Sequence, residues 1–161
     1  ISNKQLKIID FGSSMVKQKK PIYKDYIQSR YYRSPEVIFN IEITDKIDVW
    51  SYGCIIYELL TKKPLFPAKS TRDLVIYYTH FLGYPPDYMD KIYSNKLYFE
   101  KDSKKLSTYE TMRGNVLHPK KFIWNCNDVE LKQLIYNNCL AWDKENRRSM
   151  DEILNHSYLQ F

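Results

Sequence analysis

The sequence predicts a mainly α fold: a helical bundle with a short β segment at its N-terminus. Three observations carry this. The most apolar stretch, 47–61, is long enough for a helix of about four turns and has no internal Pro. Two Ser-x-x-acid signatures, Ser70-x-x-Asp73 and Ser149-x-x-Glu152, stand directly before apolar runs, as capping boxes do at helix starts. The one run that reads as a strand, Leu6-Lys7-Ile8-Ile9, is four residues long and stops at Asp10-Phe11-Gly12.

In chain order, residues 1–12 form the expected strand and turn. Residues 13–33 are polar, basic and rich in Tyr, with Pro21 inside and no period, and read as an ordered loop. Ser34-Pro35-Glu36 opens a brief helical turn, because Pro suits the first helical position. From Ile47 to Leu60 the apolar residues point in every direction around a helical wheel, which predicts a helix in the middle of the domain. A helix from Ser70 to Leu82 ends at Gly83 and Pro85-Pro86. Residues 84–126 have weak periodicity and read as an irregular insertion with one short helix over 88–95. Asn127 or Asp128 caps a helix whose apolar face is Leu131, Leu134, Ile135 and Leu140, and Ser149 caps the last one, which carries Ile153 and Leu154.

With 161 residues the chain can bury about 70% of its unfolded surface, so it needs no staples. Cys54, Cys126 and Cys139 are odd in number and widely spaced, which argues against a disulfide framework and a zinc site. No apolar run reaches the roughly 18 residues of a membrane span, so no membrane partner is expected. The net charge of +6 suits a surface that attracts phosphates or acidic peptides without choosing between them.

Asp10-Phe11-Gly12 places a hard carboxylate at the end of a strand, where it could bind Mg²⁺; taken alone it reads first as a turn. Three further clusters follow in order: Tyr26-Ile27-Gln28-Ser29-Arg30-Tyr31-Tyr32-Arg33-Ser34-Pro35-Glu36, then Asp48-Val49-Trp50-Ser51-Tyr52-Gly53, then Trp142-Asp143-Lys144-Glu145-Asn146-Arg147. With these four motifs the chain resembles the C-terminal lobe of a eukaryotic protein kinase, within the CMGC group and most like the dual-specificity tyrosine-regulated (DYRK) kinases. The resemblance covers practically the whole chain. It implies a kinase fold without the N-lobe and catalytic loop, an activation segment over 13–36, a central buried helix over 47–61, a CMGC-type insert over 84–126 and final helices over 127–161.

The resemblance also implies roles, all of them borrowed from the family. Asp10 would bind the Mg²⁺ that bridges the ATP phosphates. Phe11 would pack into the apolar column between the lobes, after which comes Gly12. Tyr26 matches a tyrosine that DYRK kinases phosphorylate on themselves, with Arg30 and Arg33 as partners for its phosphate. Position 24 is Lys where DYRK members usually carry a first Tyr; this single-tyrosine form is similar to the homeodomain-interacting kinases. Ser29 matches the residue that hydrogen-bonds the catalytic loop. Glu36 should pair with Arg147, and Asp48 should anchor the catalytic loop to the central helix, or else serve as an N-terminal helix acid. Trp50 is core under either reading. The expected activity is ATP-dependent transfer to serine and threonine hydroxyls of protein substrates, in the cytoplasm or nucleus.

No Gly-rich loop, strand lysine or His-Arg-Asp precedes Ile1. The expectation is therefore a fragment, inactive and poorly soluble by itself. A pseudokinase or scaffold is the alternative. A nucleic-acid-binding module, suggested by Lys17, Lys19, Lys20, Lys104 and Lys105, lacks any recognised stacking platform, so nucleic acid is not expected as a partner.

Overall fold

The computed structural model describes residues 7–16, 21–23, 27–95, 97–100, 106 and 127–160. Six helices organise them: α1 (Pro35–Ile38), α2 (Lys46–Thr61), α3 (Thr71–Leu82), α4 (Asp90–Tyr93), α5 (Val129–Lys132) and α6 (Met150–Leu154). The α5 helix continues without a break as a π-helical segment, Gln133–Cys139.

Local chemistry sets the helix ends. Ser70 and Asp73 exchange side-chain bonds with each other's backbone at the start of α3, and Ser149 and Glu152 do the same for α6. Asp128 accepts from Leu131 N at the start of α5. Helix α3 stops at Gly83, whose φ of 87° is a conformation open to Gly and strained for other residues.

Helix α2 is the axis of the molecule. Ile47, Val49, Trp50, Gly53, Cys54 and Tyr57 are buried, a 3–4 residue spacing that makes one face. That face packs on Gln133–Cys139. The approach is close because of Gly53, where a Cβ would lie 2.7 Å from the Cys139 Cβ. Around Trp50 the aromatics stack and tilt: Phe66 lies 5.8 Å away, and Tyr78 meets Trp50 edge-on at 4.8 Å and Phe66 at 4.7 Å. Trp142 closes this core and donates its indole N–H to Gly83 O at 2.8 Å.

Three expectations are corrected. The apolar run at the N-terminus is not a buried strand over its described residues: Ile8 and Ile9 are 81% and 80% exposed. An extended segment becomes a strand only when a second one completes its ladder, and the described residues contain only two isolated bridges, Ile22–Ile43 and Phe99–Leu106. The expected β segment is therefore absent among the described residues. Helix α2, expected to be buried all round, leaves Ile55, Leu59 and Leu60 exposed. The short helix expected over 88–95 contracts to α4.

Within 84–126, Phe99 is fully buried against Tyr93 at 5.2 Å, and Tyr98 meets Phe39 edge-on at 5.6 Å. This pair is an anchor in the core, and most of the 84–126 stretch after it lies outside the described residues. Among the described residues no helix is long and apolar enough to cross a membrane.

Candidate functional site

The segment 27–36 lies along α2, and its conformation is fixed by a few side chains. Gln28 has φ 61°, a left-handed value uncommon for a residue with a long side chain. Its amide Nε2 donates to Ile47 O at 2.8 Å and to Ser51 Oγ at 2.7 Å. Its Oε1 accepts from Ser34 N at 2.9 Å and from Ser34 Oγ at 3.1 Å. Two donors and two acceptor sites are all an amide has, so Gln28 is saturated.

Arg33, buried, folds back on the same turn. Its Nε donates to Ile27 O at 3.1 Å and its Nη2 to Gln28 O at 3.0 Å. Tyr78 OH donates to Arg33 O. Ser51 Oγ donates to Tyr32 O at 2.8 Å, and Tyr32 OH donates to Glu58 Oε2 at 2.7 Å. The Glu58 carboxylate, which prefers the phenol protonated, pushes the Tyr32 pKa up to about 12.

Glu36 and Arg147 close the segment onto the last part of the chain. Arg147 Nη1 and Nη2 donate to the two Glu36 carboxylate oxygens at 2.7 and 2.8 Å, with both side chains buried. The guanidinium's other donors reach Ala141 O and Lys46 O, and its Cζ lies 5.0 Å from the centroid of the Trp50 ring. All five N–H groups are thus used.

The remaining predicted residues stand apart from this network. Ser29 is exposed, and no partner of its hydroxyl is found among the described residues. Arg30 Nη1 donates to Lys69 O at 2.8 Å, while its Nε is buried without a partner among the described residues. Tyr26 and Lys24 lie outside the described residues, as do Lys17, Lys19, Lys20, Lys104, Lys105 and Cys126. Asp48 sits in the first turn of α2 with its carboxyl exposed; partial loss of solvent and the nearby Asp45 push its pKa up.

Asp10 has φ 61° and an exposed carboxyl that, among the described residues, accepts only a long 3.4 Å bond from Gly12 N. Phe11, expected to pack in an apolar column, is 66% exposed and joins neither apolar cluster, because no apolar layer among the described residues covers the turn. Among the described residues no three His, Cys, Asp or Glu side chains group to hold a metal by themselves. A nucleotide-bound Mg²⁺ asks less, taking one or two protein carboxylates and completing its octahedron with phosphate oxygens and water. The free Asp10 carboxylate fits that requirement as a single ligand.

Sequence reasoning quoted Gln28, Tyr32 and Ser51 within motifs without giving them a task, and passed over Glu58. A Gln in a basic loop carries no pattern of its own; its four partners lie 6 to 23 residues away.

The family described as protein kinase domain matches residues 1–159. The DYRK-family kinase pom1 of Schizosaccharomyces pombe is 36% identical over 160 residues, covering 96% of this chain and 14% of its own length. Dual specificity tyrosine-phosphorylation-regulated kinase 2 of Drosophila melanogaster is 37% identical over 159 residues, covering 96% and 22%. A crystal structure of a kinase domain superposes with a TM-score of 0.72 at 26% identity, over 96% of this chain and 47% of that one. The chain thus spans less than a quarter of these two relatives and about half of that solved kinase domain.

Proposed function

Because this chain belongs to the protein kinase domain family, with DYRK-family kinases among its relatives, we propose that it is the C-terminal lobe of an ATP-dependent protein serine/threonine kinase that also phosphorylates its own activation segment on tyrosine. The supporting observation is the Glu36–Arg147 pair, which ties the end of the segment beginning at Asp10-Phe11-Gly12 to the helical core 111 residues later. A segment fastened at that end can be shaped between Gln28 and Arg33 to receive a substrate.

ATP and Mg²⁺ are the cofactors of the family, and the bound ion neutralises charge on the phosphates during transfer. Asp10 would hold that ion through its carboxylate. Ser29, exposed with its hydroxyl open, would bond to the catalytic loop. Asp48, with an exposed carboxylate at the head of α2, would accept backbone donors from the same loop. Arg30 and Arg33, four and seven residues beyond Tyr26, would receive its phosphate through their guanidinium N–H groups. The activity requires the nucleotide-handling half of a kinase domain, so the 161-residue chain alone would be inactive. Free, buried Cys54 and Cys139 accord with a reducing compartment, cytoplasm or nucleus.

The test is incubation of the full-length protein with Mg²⁺-ATP and protein acceptors, with mass-spectrometric mapping of phosphate. Phosphoserine or phosphothreonine on the acceptors supports the reading. An intact protein that never transfers phosphate leaves the pseudokinase alternative in its place.

A further inference from the structure

A second surface, which shares Arg147 with the anchor of the activation segment, has the features of a binding site. It is a cleft of about 520 Å³ lined by Lys46, Gln133, Asn137, Asn138, the turn 145–148 and Glu152. The geometry points to a docking cleft for an extended, uncharged peptide segment of a partner protein, a role independent of the kinase chemistry.

Residues Gln133–Cys139 are π-helical, and π-helical turns concentrate at functional sites. Widening the turn brings positions i, i+4 and i+5 toward one face, and Gln133, Asn137 and Asn138 are related in that way. The opposite face, Leu134, Ile135 and Cys139, is buried in the core. Three side-chain amides therefore share one wall of the cleft, and no hydrogen bond from any of the three side chains to a described residue is present.

The charged groups around them are already engaged or balanced. Lys46 Nζ donates to Arg147 O, Arg147 is paired with Glu36, and Arg148 Nη1 meets Glu152 Oε1 at 2.9 Å. The lining holds three cations and two carboxylates, and the buried Glu36 behind Arg147 is the third carboxylate that balances them. Such a lining has no excess positive charge to offer a phosphate or a nucleic acid. What remains open is a set of neutral amides, each with an acceptor oxygen and two N–H donors. Their complement is a ligand that alternates donors and acceptors without charge, as the main chain of an extended peptide does. The floor is rigid: Arg148 N donates to Asn138 O at 2.9 Å, which fixes the turn 145–148 against the π-helical wall.

The test is to pan a library of random 12-residue peptides against the full-length protein and measure binding of the enriched peptides to wild type, Gln133→Ala and Asn137→Ala. These two side chains are exposed, so the variants should fold, and thermal melting checks that they do. The expected result is enrichment of peptides poor in charge, whose affinity falls about tenfold or more in each variant as buried hydrogen bonds are lost. Phosphoryl transfer to a short acceptor peptide should stay at the wild-type rate. No enriched peptide, equal binding to both variants, or a preference for acidic peptides, nucleic acid or oligosaccharides in parallel assays would overturn the proposal. None of these results bears on the kinase reading, which stands or falls on phosphoryl transfer.

Discussion

Replacing Glu36 by Ala should be among the most damaging single changes in this chain. The Arg147 side chain is fully buried and Glu36 is 3% exposed, and they meet through two parallel bonds of 2.7 and 2.8 Å. In Glu36→Ala the guanidinium keeps its bonds to Ala141 O and Lys46 O but loses the one counter-charge in contact with it. An uncompensated buried charge of this kind costs ~3–5 kcal/mol. For a domain of this size each kcal/mol moves the midpoint by roughly 2–4 °C, so the loss should be about 6–20 °C. The assay is thermal unfolding of the full-length protein and the variant, followed by near-UV circular dichroism. Replacing both partners together, Glu36→Leu with Arg147→Met, should recover part of the loss, because removing both charges also removes the cost of burying them. A drop below about 3 °C for Glu36→Ala, or a double variant worse than either single one, would refute the reasoning, since about 1 kcal/mol is the scale of a surface pair.

Gly53→Ala should destabilise by about 1–2 kcal/mol in urea unfolding, because the overpacking penalty exceeds the gain in helix propensity. The added Cβ would lie 2.7 Å from the Cys139 Cβ and 3.2 Å from the Leu140 side chain. Glu152→Gln should flatten the acid limb of stability against pH. Bonds from Ser149 N first, then Arg148 and the Ser149 hydroxyl, hold the Glu152 pKa at about 2. A depressed carboxylate contributes stability above its unfolded pKa of about 4.3 and loses it as pH falls through the folded value. An acid titration by circular dichroism should therefore separate wild type from variant between those two pH values. Tyr26→Phe should lower transfer to protein substrates. Active protein in which mass spectrometry finds Tyr26 always unmodified would reject the tyrosine switch.

What could be read from the residues was mostly local. Both capping boxes are contacts three residues apart, so Ser70 with Asp73 and Ser149 with Glu152 stand in the sequence much as they stand in the fold. The apolar face of Leu131, Leu134 and Ile135 was legible for the same reason, although the π-helical widening that follows was not, since no residue type demands it. Leu6 to Ile9 shows the opposite case. Apolar residues announce a need for burial, but whether a strand forms depends on a partner that local pattern does not reveal, and Ile8 and Ile9 stay exposed. Helix α2 reads as apolar all round, yet Ile55, Leu59 and Leu60 on it stay exposed. The Glu36–Arg147 pairing spans 111 residues and was expected only because four motifs together resemble a kinase; no periodicity predicts it. The Gln28 amide, with no such resemblance to guide it, was found only once its partners were in place.

The central claim is that Asp10 serves a nucleotide-dependent phosphoryl transfer, and the most direct measurement is the transfer rate from Mg²⁺-ATP to a protein acceptor in full-length wild type and Asp10→Ala. Asp10 is exposed and among the described residues its side chain bonds only its own turn, so the variant should melt with the wild type while its rate falls to background. A folded Asp10→Ala protein that phosphorylates at the wild-type rate would contradict the account.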